Sequence, residues 1–249
     1  MKIQEARDLG ARTAACVAAG EIEKAYGVLA PVLAQRTPFA KLGVIGEAIG
    51  SQEPVQVNRF LDRVASDGTE GGWVVIGAAL SGQLEGDMPA AFERCRRYIV
   101  TANVWYGADI LGERVPGPAL VRAFDLALIS LASWRDDDSI WVRRAVGVSA
   151  HFWAKRSRGR EELAFQAEAL LAFLAPMFEE WEMPAVKGIG WGLKTLGRNY
   201  PELVVSWLAR QLSRPHRALM LRKAVTYLSA EQQATLSAFR ANASSVTPA

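Results

Sequence analysis

Apolar residues along the chain recur at intervals of three and four, the period of one face of an α-helix. The segment Val121, Phe124, Leu128, Leu131 is one example. The strict alternation of a half-buried strand is absent, so the pattern predicts helix almost throughout. Punctuation agrees. Pro38, Pro54, Pro89, Pro118, Pro184, Pro201 and Pro215 each fall near the start of an apolar-periodic stretch, where the missing N–H costs nothing. "DDDSIW" (136–141) offers an acidic helix entry with Ser139 as a possible cap, and "SAEQ" (229–232) matches a capping box. About a dozen helices of roughly 10 to 18 residues with short connections follow from these signals. The longest apolar run, "GGWVVIGAALSGQL", spans 14 residues between Glu70 and Glu85, short of the ~20 that cross a membrane.

A faint internal repeat organises the helices. "RAVGV" begins at Arg144, "KGIGW" at Lys187 and "KAVTY" at Lys223, at intervals of 43 and 36 residues. Each reads basic, small, β-branched, small, then larger. Such intervals suit helical-pair repeats of the HEAT type, at ~40 residues per repeat, which stack into a solenoid with a concave binding face. The expected architecture is an all-α HEAT-like superhelix, a single domain over residues 1–241 with a small, polar, frayed tail, 242–249. In that register Arg144, Lys187 and Lys223 form a basic ladder along one face, suited to a phosphate backbone.

Charge sharpens the picture. The chain carries a net +3. Residues 1–140 hold 14 Lys+Arg against 18 Asp+Glu, whereas residues 141–223 hold 14 against 7. Concentrated positive charge points to a polyanion partner; an ordinary solvated surface is the competing reading. Cys16 and Cys95 are the only cysteines, too few for a disulfide framework, and the charged start "MKIQEARDLG" is unlike a signal peptide. A cytoplasmic, nucleoid-associated monomer is expected, with no membrane partner.

Several chemistries fit poorly. Gly188, Gly190 and Gly192 lie within a predicted helix, so no strand-to-helix phosphate loop surrounds them. Ser149 and His151 are two apart on a helix, without a nucleophile elbow. His151 and His216 are the only histidines, and no carboxylates or thiols stand at ligand spacing around them, so neither metal nor cofactor is expected. His151 reads as a core or interface residue, and Asp136, Asp137 and Asp138 as a solvated helix entry. What survives is a constellation. Trp105 and Asp109 are four apart, on one helical face; Arg144 follows one repeat later; Trp191 follows Lys187 by four. Each has a structural alternative: Asp109 paired with Arg122, Arg143 and Arg144 paired with Asp136–Asp138, and the tryptophans packed in the core.

At these residues the chain resembles the AlkD-type DNA alkylation repair family, HEAT-like-repeat glycosylases. The resemblance covers roughly residues 70–228 and rests on "WYGAD" (105–109), "WVRR" (141–144) and "GWGL" (190–193). It implies hydrolysis of the N-glycosidic bond of N3- or N7-alkylated purines in duplex DNA, for base excision repair, with no cofactor and no need to flip the base into a pocket. It places the catalytic aspartate on Asp109, sugar-contacting tryptophans on Trp105 and Trp191, and the active-site arginine on Arg144. Arg143, Lys187, Lys194, Arg198 and Lys223 are the expected DNA-binding cations. Where the family often has Arg-Glu after the Gly-Trp segment, this chain has Lys194 and Thr195. Two other functions stay open on the sequence: a non-catalytic HEAT-like DNA-binding protein, and a scaffold for an acidic protein partner.

Overall fold

A computed structural model describes residues 1–245, with side chains through residue 239. All regular structure among the described residues is helical. The first helices are α1 (Ile3–Ala18), α2 (Ile22–Leu33), α3 (Phe39–Gly50), α4 (Pro54–Ala65), α5 (Glu70–Gln83), α6 (Met88–Ala102) and α7 (Trp105–Arg114). Then come α8 (Pro116–Arg122), α9 (Phe124–Leu131), α10 (Ile140–Ser157), α11 (Ala164–Leu174), α12 (Met183–Asn199), α13 (Pro201–Gln211), α14 (Ala218–Ala224) and α15 (Ala230–Ser245). The expected polar tail is helical as far as Ser245, and residues 246–249 lie outside the described residues.

The chain forms two compact units, Met1–Ala119 and the part from Leu120 onward. In the first, α1, α3, α5 and α7 pack side by side as one row, while α2, α4 and α6 form another. In the second, α10, α12 and α14 form one row and α11, α13 and α15 another. Several hydrogen bonds between elements distant in sequence have similar separations. Tyr26 to Asp67 spans 41 residues, Arg144 to Pro184 spans 40, His151 to Thr195 spans 44 and Tyr200 to Arg160 spans 40. These separations lie close to the 43 and 36 residues between the three sequence matches.

Most local signals have structural counterparts. Pro54 and Pro201 open α4 and α13, and Pro89 and Pro184 occupy the first turns of α6 and α12. Ser229 and Gln232 make the reciprocal capping box, at 2.8 and 3.1 Å. The apolar run between Glu70 and Glu85 is α5, buried continuously from Gly72 to Leu80 because neighbours cover all its faces. No helix among the described residues is long and apolar enough to cross a membrane. Two details differ from expectation. Ser139 is the N-cap of α10, yet its side chain makes no capping bond; the Asp137 carboxylate instead accepts from the Ser139 N–H at 2.8 Å. The stripe from Val121 to Leu131 is broken at Ala123, which leaves helical geometry (φ −146°, ψ 69°), so Val121 belongs to α8 and is exposed.

The tightest packing joins α10 to α12. A Cβ on Gly147 would sit 2.3 Å from the backbone carbonyl of Gly188, and one on Gly192 would sit 2.7 Å from the Gly147 carbonyl oxygen. Only glycine permits helix backbones this close. Gly147→Ala is therefore expected to destabilise the chain by about 2–3 kcal/mol or more, since backbone rather than a flexible side chain would have to move. Gly27→Ala, on α2 with nothing within 4 Å of the added carbon, should instead stabilise by about 0.5–1 kcal/mol. Denaturant midpoints of the two variants check this; equal shifts would refute the close-packing account.

Candidate nucleic-acid interface

Helix α12 carries two sets of glycines. Gly188 and Gly192, four apart, face α10; Gly190 and Gly197, seven apart, face α14. One helix thus presents bare backbone to a neighbour on each side. Side chains from those neighbours lie across it. The Arg144 stem passes over Gly188, where an added Cβ would meet its Cγ at 2.7 Å. The Lys223 stem passes over Gly190 in the same way, its Cδ 2.6 Å from the hypothetical carbon. Arg144 and Lys187 are each the fifth residue of their helix and Lys223 is the sixth.

The result is a concentration of like charge. Arg144 is buried and its Nη1 donates to the Pro184 carbonyl at 3.0 Å. Lys187 is exposed, and Lys194 and Lys223 are half-buried. Burial first, then the charges of Lys194, Arg144, Lys187 and Arg222, push the Lys223 ammonium below its ordinary range. These five cations therefore share one electrostatic environment. Lys194 and Arg198 lie over the Tyr227 ring, at 5.0 and 5.4 Å from its centroid. Arg143 is placed differently. Its Nε bonds Glu180 at 2.6 Å and its Nη1 donates to the carbonyls of Asp137 and Asp138 at 2.6 and 3.3 Å. It ties the entry of α10 to the turn before α12.

Trp191, flanked by Gly190 and Gly192, is half-buried. Its indole stacks on the His151 imidazole, with centroids 3.9 Å apart and planes 23° from parallel. His151 Nδ1 lies 2.7 Å from Thr195 Oγ1, and that hydroxyl lies 3.1 Å from the Trp191 carbonyl oxygen. The sequence placed His151 in a core or interface without naming this arrangement. The signal was available: His151 and Thr195 are 44 residues apart, close to the 43 that separates Arg144 from Lys187.

Trp105 and Asp109 stand in the first unit, on the first turns of α7. Helix α6 ends on Asn103 in left-handed geometry (φ 46°) and α7 begins two residues later. The turn is tight enough that a Cβ on Gly107 would sit 2.6 Å from the Ala102 methyl. Trp105 is consequently presented at the helix start, 57% exposed, edge-on to Tyr106 at 5.7 Å. Asp109 follows one turn later on the same face, half-buried. Among the described residues, no group of three or more His, Cys, Asp or Glu is arranged to hold a metal ion.

A family model for the DNA alkylation repair enzyme matches residues 53–228. That span runs from the N-cap of α4 to just beyond α14 and covers most of the chain. The protein belongs to the DNA alkylation repair enzyme family. No curated protein and no solved structure gives a match of its own.

Burial, with a smaller contribution from Lys155, lowers the His151 pKa from 6.5 to about 4. The folded chain thus binds a proton on this ring less readily than the unfolded chain. The stability this confers is complete above pH 6.5 and is lost as pH falls towards 4, to a ceiling of about 3 kcal/mol. His151→Gln should flatten the melting temperature over that window. An unchanged pH dependence in the variant would show that other groups govern it.

Proposed function

We propose that the chain is a DNA glycosylase that hydrolyses the N-glycosidic bond of cationic N3- or N7-alkylated purines in duplex DNA. Family membership supports action on alkylated DNA. The observation that carries the finer reading is the Trp105–Asp109 pair on α7: a carboxylate one helical turn from an exposed indole. The rows of α10, α12 and α14, and of α1, α3, α5 and α7, are read as HEAT-like repeats. The face carrying Arg144, Lys187, Lys194 and Lys223 is read as the DNA-facing side, with Arg198 extending it.

The chemistry follows from charge. Alkylation at N3 or N7 makes the purine a cation and weakens its bond to the sugar. When the bond breaks, the electron pair leaves with the base, which departs neutral, and positive charge develops on the deoxyribose. The Asp109 carboxylate stabilises that oxocarbenium-like state, as carboxylates do in glycoside hydrolysis. Water adds at the anomeric carbon and loses its proton to the same carboxylate. The exposed face of Trp105, on the same helix as Asp109, attracts the cationic nucleotide by about 0.5–2 kcal/mol, and Trp191 is read as a sugar-contacting residue of the second unit. Arg144 and the lysines hold the phosphates on either side of the lesion. No step requires a metal or cofactor, and the reading is of a cytoplasmic monomer working in base excision repair.

Lys187→Ala and Lys223→Ala should each weaken binding to undamaged duplex with little dependence on sequence. Each should also reduce the slope of log K against log salt by about 1, the loss of one phosphate contact. Unaltered binding in both would reduce the ladder to a solvated surface. Asp109→Asn keeps the shape of the side chain and removes its charge. Single-turnover release of alkylated purines should fall by about 10²–10³, equivalent to 3–4 kcal/mol, while affinity for undamaged duplex holds or rises. A variant that excises at the wild-type rate excludes Asp109 from the reaction and leaves a DNA-gripping protein.

A further inference from the structure

Trp191 lies in an unusual setting. Its neighbours on either side are glycines packed hard against Lys223 and Gly147, so its backbone position is fixed. Yet those glycines provide no side-chain walls, and nothing they do fixes the torsion of the indole. The wall comes from another helix. His151, on α10, lies parallel to the ring at 3.9 Å, and its own orientation is set by Thr195, one turn beyond Trp191 on α12.

The hydrogen-bond pattern is determinate. The Thr195 hydroxyl has one proton, and the Trp191 carbonyl oxygen can only accept. Both contacts of the hydroxyl, 3.1 Å to Trp191 O and 2.7 Å to His151 Nδ1, are hydrogen bonds together only if Thr195 donates to the carbonyl and His151 Nδ1–H donates to Thr195. That relay selects the Nδ1–H tautomer and fixes the ring plane. His151 and Thr195 are both only 8% exposed, so water does not compete for these bonds. Burial also keeps the imidazole neutral at physiological pH. The stacked partner is then not itself a cation, and the electron-rich indole is left to attract one.

We propose that Thr195 and His151 are positioning residues for Trp191, holding its indole in the orientation that meets the substrate. The inference rests on the reading of Trp191 as a sugar-contacting residue and deepens it. It assigns a role to Thr195, at a position where the family pattern often has a glutamate.

The test uses the full chain labelled with 5-fluorotryptophan, the Trp191 fluorine line being assigned by its loss in Trp191→Phe. Thr195→Val removes the hydroxyl while keeping the shape; Thr195→Ser keeps the hydroxyl. In Thr195→Val the Trp191 line should shift or broaden while the remaining tryptophan lines, which report an intact fold, stay in place; in Thr195→Ser all lines should match wild type. Single-turnover release of 7-methylguanine from alkylated duplex should fall about ten- to a hundredfold in Thr195→Val, as expected for a displaced contact group. It should stay within about twofold in Thr195→Ser, with affinity for undamaged duplex equal in all three. An unmoved Trp191 line in Thr195→Val overturns the inference, and so does a moved line with undiminished base release. Absence of base release from the wild-type chain overturns the glycosylase reading instead, and the fluorine arm still decides whether Thr195 holds the ring.

Discussion

The second unit depends on a backbone-to-backbone crossing. Gly147 on α10 meets Gly188 and Gly192 on α12 with no room for a single extra carbon. Glycine inside a helix costs roughly 1 kcal/mol against alanine, so α12, with Gly188, Gly190, Gly192 and Gly197, is a poor helix on propensity alone. Tertiary packing overrides that cost. The return is positional. With no side chain in the way, the stems of Arg144 and Lys223 lie flat across α12, and their charged ends gather beside Lys187 and Lys194. The same crossing brings His151 onto Trp191. A bulkier α12 would push its neighbours away and disperse both arrangements.

The positive charge of residues 141–223 includes two distinct sets of side chains. Three arginines make contacts that tie down the turns. Arg143 binds Glu180 and two carbonyls, Arg214 binds Glu179 and the Ala175 carbonyl, and Arg217 binds the Trp181 carbonyl while lying over its ring. The planar guanidinium suits such multidentate clamps between neighbouring elements. Lys187, Lys194 and Lys223 on α12 and α14, with Arg144 and Arg222, form the other. Burial first, and then repulsion from Lys194, Arg144, Lys187 and Arg222, hold the Lys223 ammonium below its ordinary range. Such a cluster costs stability in isolation and is relieved by a polyanion.

Much of this was legible in the sequence because it depends on period and punctuation. The 3.6-residue rhythm, the Ser229 capping box and the prolines at helix starts are local signals, and the fold respects them. The spacing of Arg144, Lys187 and Lys223 picked out one cation on each helix of the row: the fifth residue of α10 and of α12 and the sixth of α14. Other features were hidden because they depend on what lies opposite. That Gly188 and Gly192 face one neighbour and Gly190 and Gly197 another depends on helix packing. Arg143 and Arg144 are adjacent in sequence and look alike as cations, yet one clamps a turn and the other crosses a glycine. The stack of His151 on Trp191 needed the repeat register to be trusted to the residue. The break at Ala123 was obscured because apolar spacing continues through it.

The central claim is that this chain breaks the glycosidic bond of alkylated purines rather than merely gripping damaged DNA. Incubating the intact wild-type chain with methylated duplex, and separating free purines from the polymer, tests it most directly. The account predicts time-dependent appearance of free 7-methylguanine and 3-methyladenine, with abasic sites left in the duplex. A chain that binds the same duplex in a salt-dependent manner and releases neither base would contradict it.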